Sequence, residues 1–163
     1  VDLDLGVYFR PDLGNKSLIG STETECDELI WVDDLGKLDD GLTDQWTNQM
    51  YRAALRIPNL PIPSGINKKF IVSTYDVSDD WTPIYDKSNI NGYYMAIGSS
   101  GNQFKNTCAI GPMFADLVEK VENGHNHDFN SVKHKLKYTE GEIDMKIFSR
   151  LRKPMKTAAN VFG

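Results

Sequence analysis

The sequence predicts an α+β fold, a mainly antiparallel sheet with helices packed on it. Three observations predict it. Short runs that alternate apolar and polar side chains lie in residues 3–20, 66–77 and 130–148, and period-two alternation belongs to strands with one buried face. Two runs repeat their apolar residues near every 3.6 positions, in residues 44–57 and 108–122, as amphipathic helices do. Proline, glycine and asparagine separate these runs, which marks turns.

Residues 3–20 are expected to form two strands around Val7 and Phe9, joined through Pro11-Asp12-Leu13-Gly14-Asn15, a cluster of turn formers. Residues 22–44 are acidic, carrying Glu23, Glu25, Asp27, Glu28, Asp33, Asp34, Asp39 and Asp40. Such a run is expected to be a solvated connection, pinned to the core by Trp31 and Val32. Thr43-Asp44 is a helix start. Trp46, Met50, Ala53 and Ile57 form the buried face, and Pro58 stops the helix. An extended loop, Asn59 to Gly65, leads to a strand that begins at Phe70-Ile71-Val72 and runs toward Tyr75.

Gly92 to Ile97 reads as a buried strand, followed by the loop Gly98-Ser99-Ser100-Gly101-Asn102-Gln103-Phe104-Lys105-Asn106. The next helix has one apolar face from Ile110, Met113, Phe114, Leu117, Val118 and Val121, and Asn123-Gly124 ends it. A glycine-rich loop before a helix lets backbone N–H groups approach a ligand, and a helix N-terminus favours negative charge. The same pattern also serves as a plain tight turn. His125, His127 and Asp128 invite a metal reading, but a metal needs three or four convergent ligands, so the stretch is expected to be a surface loop and no metal is assigned. Lys133, Lys135 and Lys137 alternate with Val132, His134, Leu136 and Tyr138, as in an edge strand protected by lysines.

A chain of 163 residues suits one domain. Three segments are expected within it: residues 1–90 a sheet and helix, 91–124 the strand-loop-helix, 125–163 a C-terminal tail. The net charge of −5 argues against nonspecific nucleic-acid binding, and no apolar run is long enough for a membrane helix. Cys26 and Cys108 lack metal-ligand spacing and are expected to be reduced, partly buried thiols.

The segment Tyr93-Tyr94-Met95-Ala96-Ile97-Gly98-Ser99-Ser100-Gly101-Asn102-Gln103-Phe104-Lys105-Asn106 resembles the C-terminal flavin-binding segment of the FAD-dependent oxidoreductases related to D-amino-acid oxidase, sarcosine oxidase and dimethylglycine dehydrogenase. Ser73-Thr74-Tyr75-Asp76-Val77-Ser78-Asp79-Asp80-Trp81-Thr82-Pro83-Ile84 is similar to that family's Tyr-Asp-x-Thr-Pro-Asp…Pro-Ile segment. Leu5 to Pro11, Leu18 to Gly20, Phe148 to Arg152 and the ending Asn160 to Gly163 also resemble it. The family's G-x-G-x-x-G fingerprint, which belongs on an N-terminal Rossmann-like unit, does not occur in these residues. The resemblance therefore implies the substrate-side, C-terminal part of a longer enzyme, without its dinucleotide-binding half.

What the resemblance implies is oxidation of the C–N bond of an amino acid, secondary or N-methylated, by FAD. Gly98, Ser100, Gly101, Asn102, Phe104 and Lys105 would face the flavin. Lys105 would also hold the substrate carboxylate, and Tyr75 would line the substrate site as the second catalytic residue. Asn102 stands where some relatives carry His, so no titrating group is implied there. Ser73 stands where some sarcosine oxidases carry the cysteine that bonds flavin, so no attachment through this position is implied. Asp79 and Cys108 replace prolines of the pattern. The chain alone is expected to bind no FAD tightly and to be inactive. The implied partners are the amine substrate and the missing FAD-binding half, the implied location is the cytoplasm, and self-association of the chain is left open. The competing reading is a binding or subunit-interaction module that keeps the fold without the chemistry.

Overall fold

The computed structural model describes residues 1–22, 26–38, 41–62 and 69–155. The fold is α+β: among these residues two α-helices accompany three two-stranded antiparallel sheets. One continuous sheet is not formed. The chain divides into two compact units, Val1–Thr74 and Tyr75–Gly163.

In the first unit, β1 (Val7–Asp12) pairs with β2 (Lys16–Ser21) in the register Val7↔Ser21 to Asp12↔Lys16. Gly14 and Asn15 reverse the chain with φ of 73° and 57°, values that glycine and asparagine tolerate best. Pro11 is accommodated because a two-stranded sheet is all edge. The first helix, α1 (Asp44–Arg56), starts where the Thr43 hydroxyl accepts the Trp46 N–H at 3.4 Å. Met50 and Ala53 are buried, and the helix packs on β1 and β2. Arg56 at its end reaches Asp2 and Asp4, both at 2.6 Å.

The acidic connection departs from expectation at two residues. Trp31 is 69% exposed and pins nothing. The Asp27 carboxylate is buried instead, gripped by both terminal nitrogens of Arg52 at 2.7 Å. The arginine fork supplies the charge partner that makes burial of a carboxylate tolerable. Glu23, Glu25, Asp39 and Asp40 lie outside the described residues. Cys26 and Cys108 are in no disulfide, and both are exposed rather than partly buried.

The strand expected from Phe70 to Tyr75 is absent: residues 69–77 form no ladder. Ile71 is 85% exposed. β-branched side chains favour a strand only where a pleated neighbour receives them, and this stretch has none. In the second unit, β3 (Ile84–Lys87) pairs with β4 (Tyr94–Ile97) through a turn containing Gly92. The strand β4 is not buried as expected, since Ala96 and Ile97 are exposed; an isolated hairpin has too few strands to cover both faces.

The second helix, α2 (Thr107–Glu122), buries Met113 and Leu117. They pack with Tyr85, Val132 and Met145 into the core of this unit, and Ile110, Phe114, Val121, Ile143 and Phe148 surround them. Phe148 lies 5.2 Å from the Tyr85 ring, and Phe114 meets Tyr85 edge-on at 6.4 Å. Gly124 ends the helix with φ of 88°. Its N–H donates to Val121 and the His125 N–H to Lys120, both at 2.9 Å, the paired bonds of a Schellman motif. The strands β5 (Lys133–Lys135) and β6 (Glu142–Asp144) form the third hairpin. His127 departs from the surface-loop expectation, being only 3% exposed.

Candidate functional site

The loop between β4 and α2 turns in three left-handed steps, at Gly98 (φ 66°), Ser100 (52°) and Gly101 (73°). A short 3-10 turn, Phe104–Asn106, carries the chain into α2. Left-handed residues swing successive N–H groups toward one side, the arrangement that builds anion-binding concavities. Here the concavity holds a carboxylate of the protein itself. The Gly98 N–H donates to Asp76 Oδ2 at 2.7 Å, and the Ser99 hydroxyl donates to Oδ1 at 2.6 Å. The Ser100 N–H donates to the Asp76 carbonyl at 2.9 Å. Partial burial raises the Asp76 pKa, but the Ser99 and Gly98 donors outweigh it and the net shift is downward.

The loop is propped from beneath. A Cβ on Gly98 would come within 3.3 Å of Ser78 Cβ. Ser78 donates to the Thr82 carbonyl at 2.7 Å and faces Asp80 at 3.2 Å. Asp80 in turn receives Arg152 at 2.7 and 3.2 Å, the Thr82 N–H at 3.1 Å and the Met155 N–H at 2.9 Å. These donors, Arg152 first, hold the Asp80 carboxyl far below the usual carboxylate range. On the other side, the Tyr85 hydroxyl donates to Gln103 at 3.0 Å. Burial, with the Asp76 charge behind it, pushes the Tyr85 hydroxyl up to about 12.

The residues singled out from the sequence divide sharply. Gly98, Ser100 and Asn102 are buried inside the loop, and the Asn102 side chain accepts from Gln103. Gly101, Phe104 and Lys105 are exposed at its tip, Phe104 to 94%. Tyr75 is 54% exposed, and its neighbour Asp76 ties that backbone to the loop. Asp76 itself was not singled out. Its signal was the pairing of Tyr75-Asp76 with a donor-rich loop 22 residues later, which local patterning does not reveal.

A second polar cluster lies at Asp86, whose carboxylate is fully buried. Its Oδ2 accepts from the Ser149 hydroxyl at 3.1 Å, the Arg150 N–H at 2.8 Å and the Arg150 guanidinium at 3.1 Å. Arg150 also grips Asp128 at 2.8 and 2.9 Å. This cluster clamps the chain after the core: Asp86 is sealed inside it, and Asp128 lies at its exposed edge. Among the described residues no three His, Cys, Asp or Glu side chains converge on a point where a metal could sit.

No helix among the described residues is long and apolar enough to cross a membrane. Comparison with protein-family models, with curated proteins and with solved structures finds no match for this chain.

Proposed function

We propose that this chain forms the C-terminal, substrate-side part of an FAD-dependent oxidoreductase acting on the C–N bond of an amino acid. The observation that carries the reading is the strand-loop-helix at residues 94–122, with three left-handed residues in the segment that resembles the flavin-binding loop. The donor set suits negative charge, as a reduced flavin edge requires. The Gly98 and Ser100 N–H groups are spent on Asp76, so the residues that would meet a flavin are those at the tip, Gly101, Phe104 and Lys105. FAD, when bound, supplies acceptance of a hydride equivalent from the substrate. Asp76 and the Ser78–Asp80 prop hold the loop in shape for that contact. The Lys105 ammonium would orient the substrate carboxylate, and Tyr75 would line the same side.

The alternative is a binding or subunit-interaction module that keeps the fold without the chemistry. The occupation of the loop's donors by Asp76 favours it, because a structural carboxylate there needs no ligand.

Flavin-dependent turnover by an enzyme containing this chain would favour the first reading over the second, and kinetics then test the role of Lys105. A charge-assisted hydrogen bond from Lys105 to a carboxylate is worth about 1.5–3 kcal/mol. In a flavin-loaded enzyme containing this chain, Lys105→Met is expected to lower kcat/KM for amino-acid substrates by roughly 10- to 150-fold. An amine lacking the carboxylate should lose little, and flavin content should hold. Unchanged turnover of amino-acid substrates would remove Lys105 from the site.

A further inference from the structure

The His127 ring is buried, yet it lacks half of its hydrogen bonds. The Val132 N–H donates to Nδ1 at 3.0 Å. An accepting nitrogen carries no proton, so the neutral ring must bear its hydrogen on Nε2. That nitrogen has no hydrogen-bond partner. Its nearest counter-charge is Asp86 Oδ1, 3.6 Å away and itself fully buried.

A second proton can add only at Nδ1, the atom already taken by Val132. Protonation therefore sets one N–H against another and breaks the bond that closes residues 127–132 on themselves ahead of β5. We propose that His127 is an acid-sensitive latch, whose protonation opens the 127–132 loop at the bond that closes it on the Val132 N–H. The Val132 side chain belongs to the core of this unit, so release of its N–H loosens the core at the same point.

The surrounding charges fix the direction. Asp86, from β3, and Asp128, from the same loop, attract a proton to the ring; His125 and Lys87 repel one. Arg150, from the segment after β6, is bound to both carboxylates and takes up much of their charge. Burial outweighs the attraction, and the His127 pKa lies below its ordinary value of 6.5. The unfolded or opened chain thus takes the proton first. The latch is intact above about pH 6.5 and weakens as pH falls below it, by at most about tenfold in the closed-to-open ratio per pH unit.

The test uses the whole chain. Nitrogen NMR of the imidazole rings at pH 7.5 should find the Nε2–H tautomer at His127. Hydrogen exchange should find the Val132 amide protection factor flat above pH 6.5 and falling by up to about tenfold per unit between pH 6.5 and 5. His127→Asn places a carbonyl oxygen near the Nδ1 position and cannot titrate, so its Val132 protection should be flat across this range. An Nδ1–H tautomer, a flat native profile, or an unchanged slope in His127→Asn would each overturn the proposal. The tautomer and native profile decide it even where the variant does not fold.

Discussion

At the scale of single residues, the described chain relies on carboxylates held by arginines. Asp86 is the extreme case, with no exposed surface and donors from Ser149 and from both the backbone and side chain of Arg150. A buried ion pair adds little over an apolar packing, but removing one partner strands the other charge. Asp86→Ala should therefore destabilise the second unit by about 3–5 kcal/mol, read from denaturant unfolding followed by amide protection in α2. A loss below about 1 kcal/mol, the scale of a solvated surface pair, would mean that Arg150 is held by Asp128 alone. Nothing near Asp86 in sequence announces this burial. Ser149 and Arg150, the donors to its Oδ2, lie more than 60 residues away, and a strand reading Ile-Tyr-Asp-Lys buries two neighbours, Tyr85 and Asp86, against the alternation rule. His127 was hidden for the same reason, since burial of a polar ring depends on what the rest of the unit folds over it.

At the scale of elements, the two helices were legible and the strands less so. A helix satisfies its own backbone, so thirteen or sixteen residues with a single apolar face announce themselves. A strand needs a partner, and the Phe-Ile-Val run at residues 70–72 finds none while Ile84–Lys87 does. The loop after β4 was legible from its glycines, but not its occupant, Asp76. Its shape makes a prediction of its own. Gly98 combines a left-handed φ with close contact to Ser78. Gly98→Ala should cost about 1–2 kcal/mol from the backbone alone, plus the strain of displacing Ser78. Gly92 has a similar φ but open space around it, so Gly92→Ala should cost less. Paired urea midpoints for the two variants measure the difference, and equal midpoints would mean that the prop beneath the loop gives way freely.

At the scale of the molecule, the second unit should respond to acid in two stages. The first is the His127 window below about pH 6.5. The second belongs to Asp80 and Asp128, whose pKa values are pulled down by Arg152 and by Arg150 respectively. A depressed carboxylate contributes stability that is fully present above its unfolded value of 3.8 and is lost as pH falls through the folded value. Unfolding monitored from pH 7.5 to 2 should show a shallow early decline and a steep one below about pH 4. A single decline beginning only below pH 4 would remove the histidine stage.

The two exposed cysteines carry a practical consequence of the division into units. Cys26 belongs to residues 1–74 and Cys108 to residues 75–163, and neither is in a disulfide. Thiol-reactive donor and acceptor dyes would therefore mark one unit each on the unmutated chain. Resonance energy transfer between them turns the native protein into its own molecular ruler, able to report whether the units move against each other in solution.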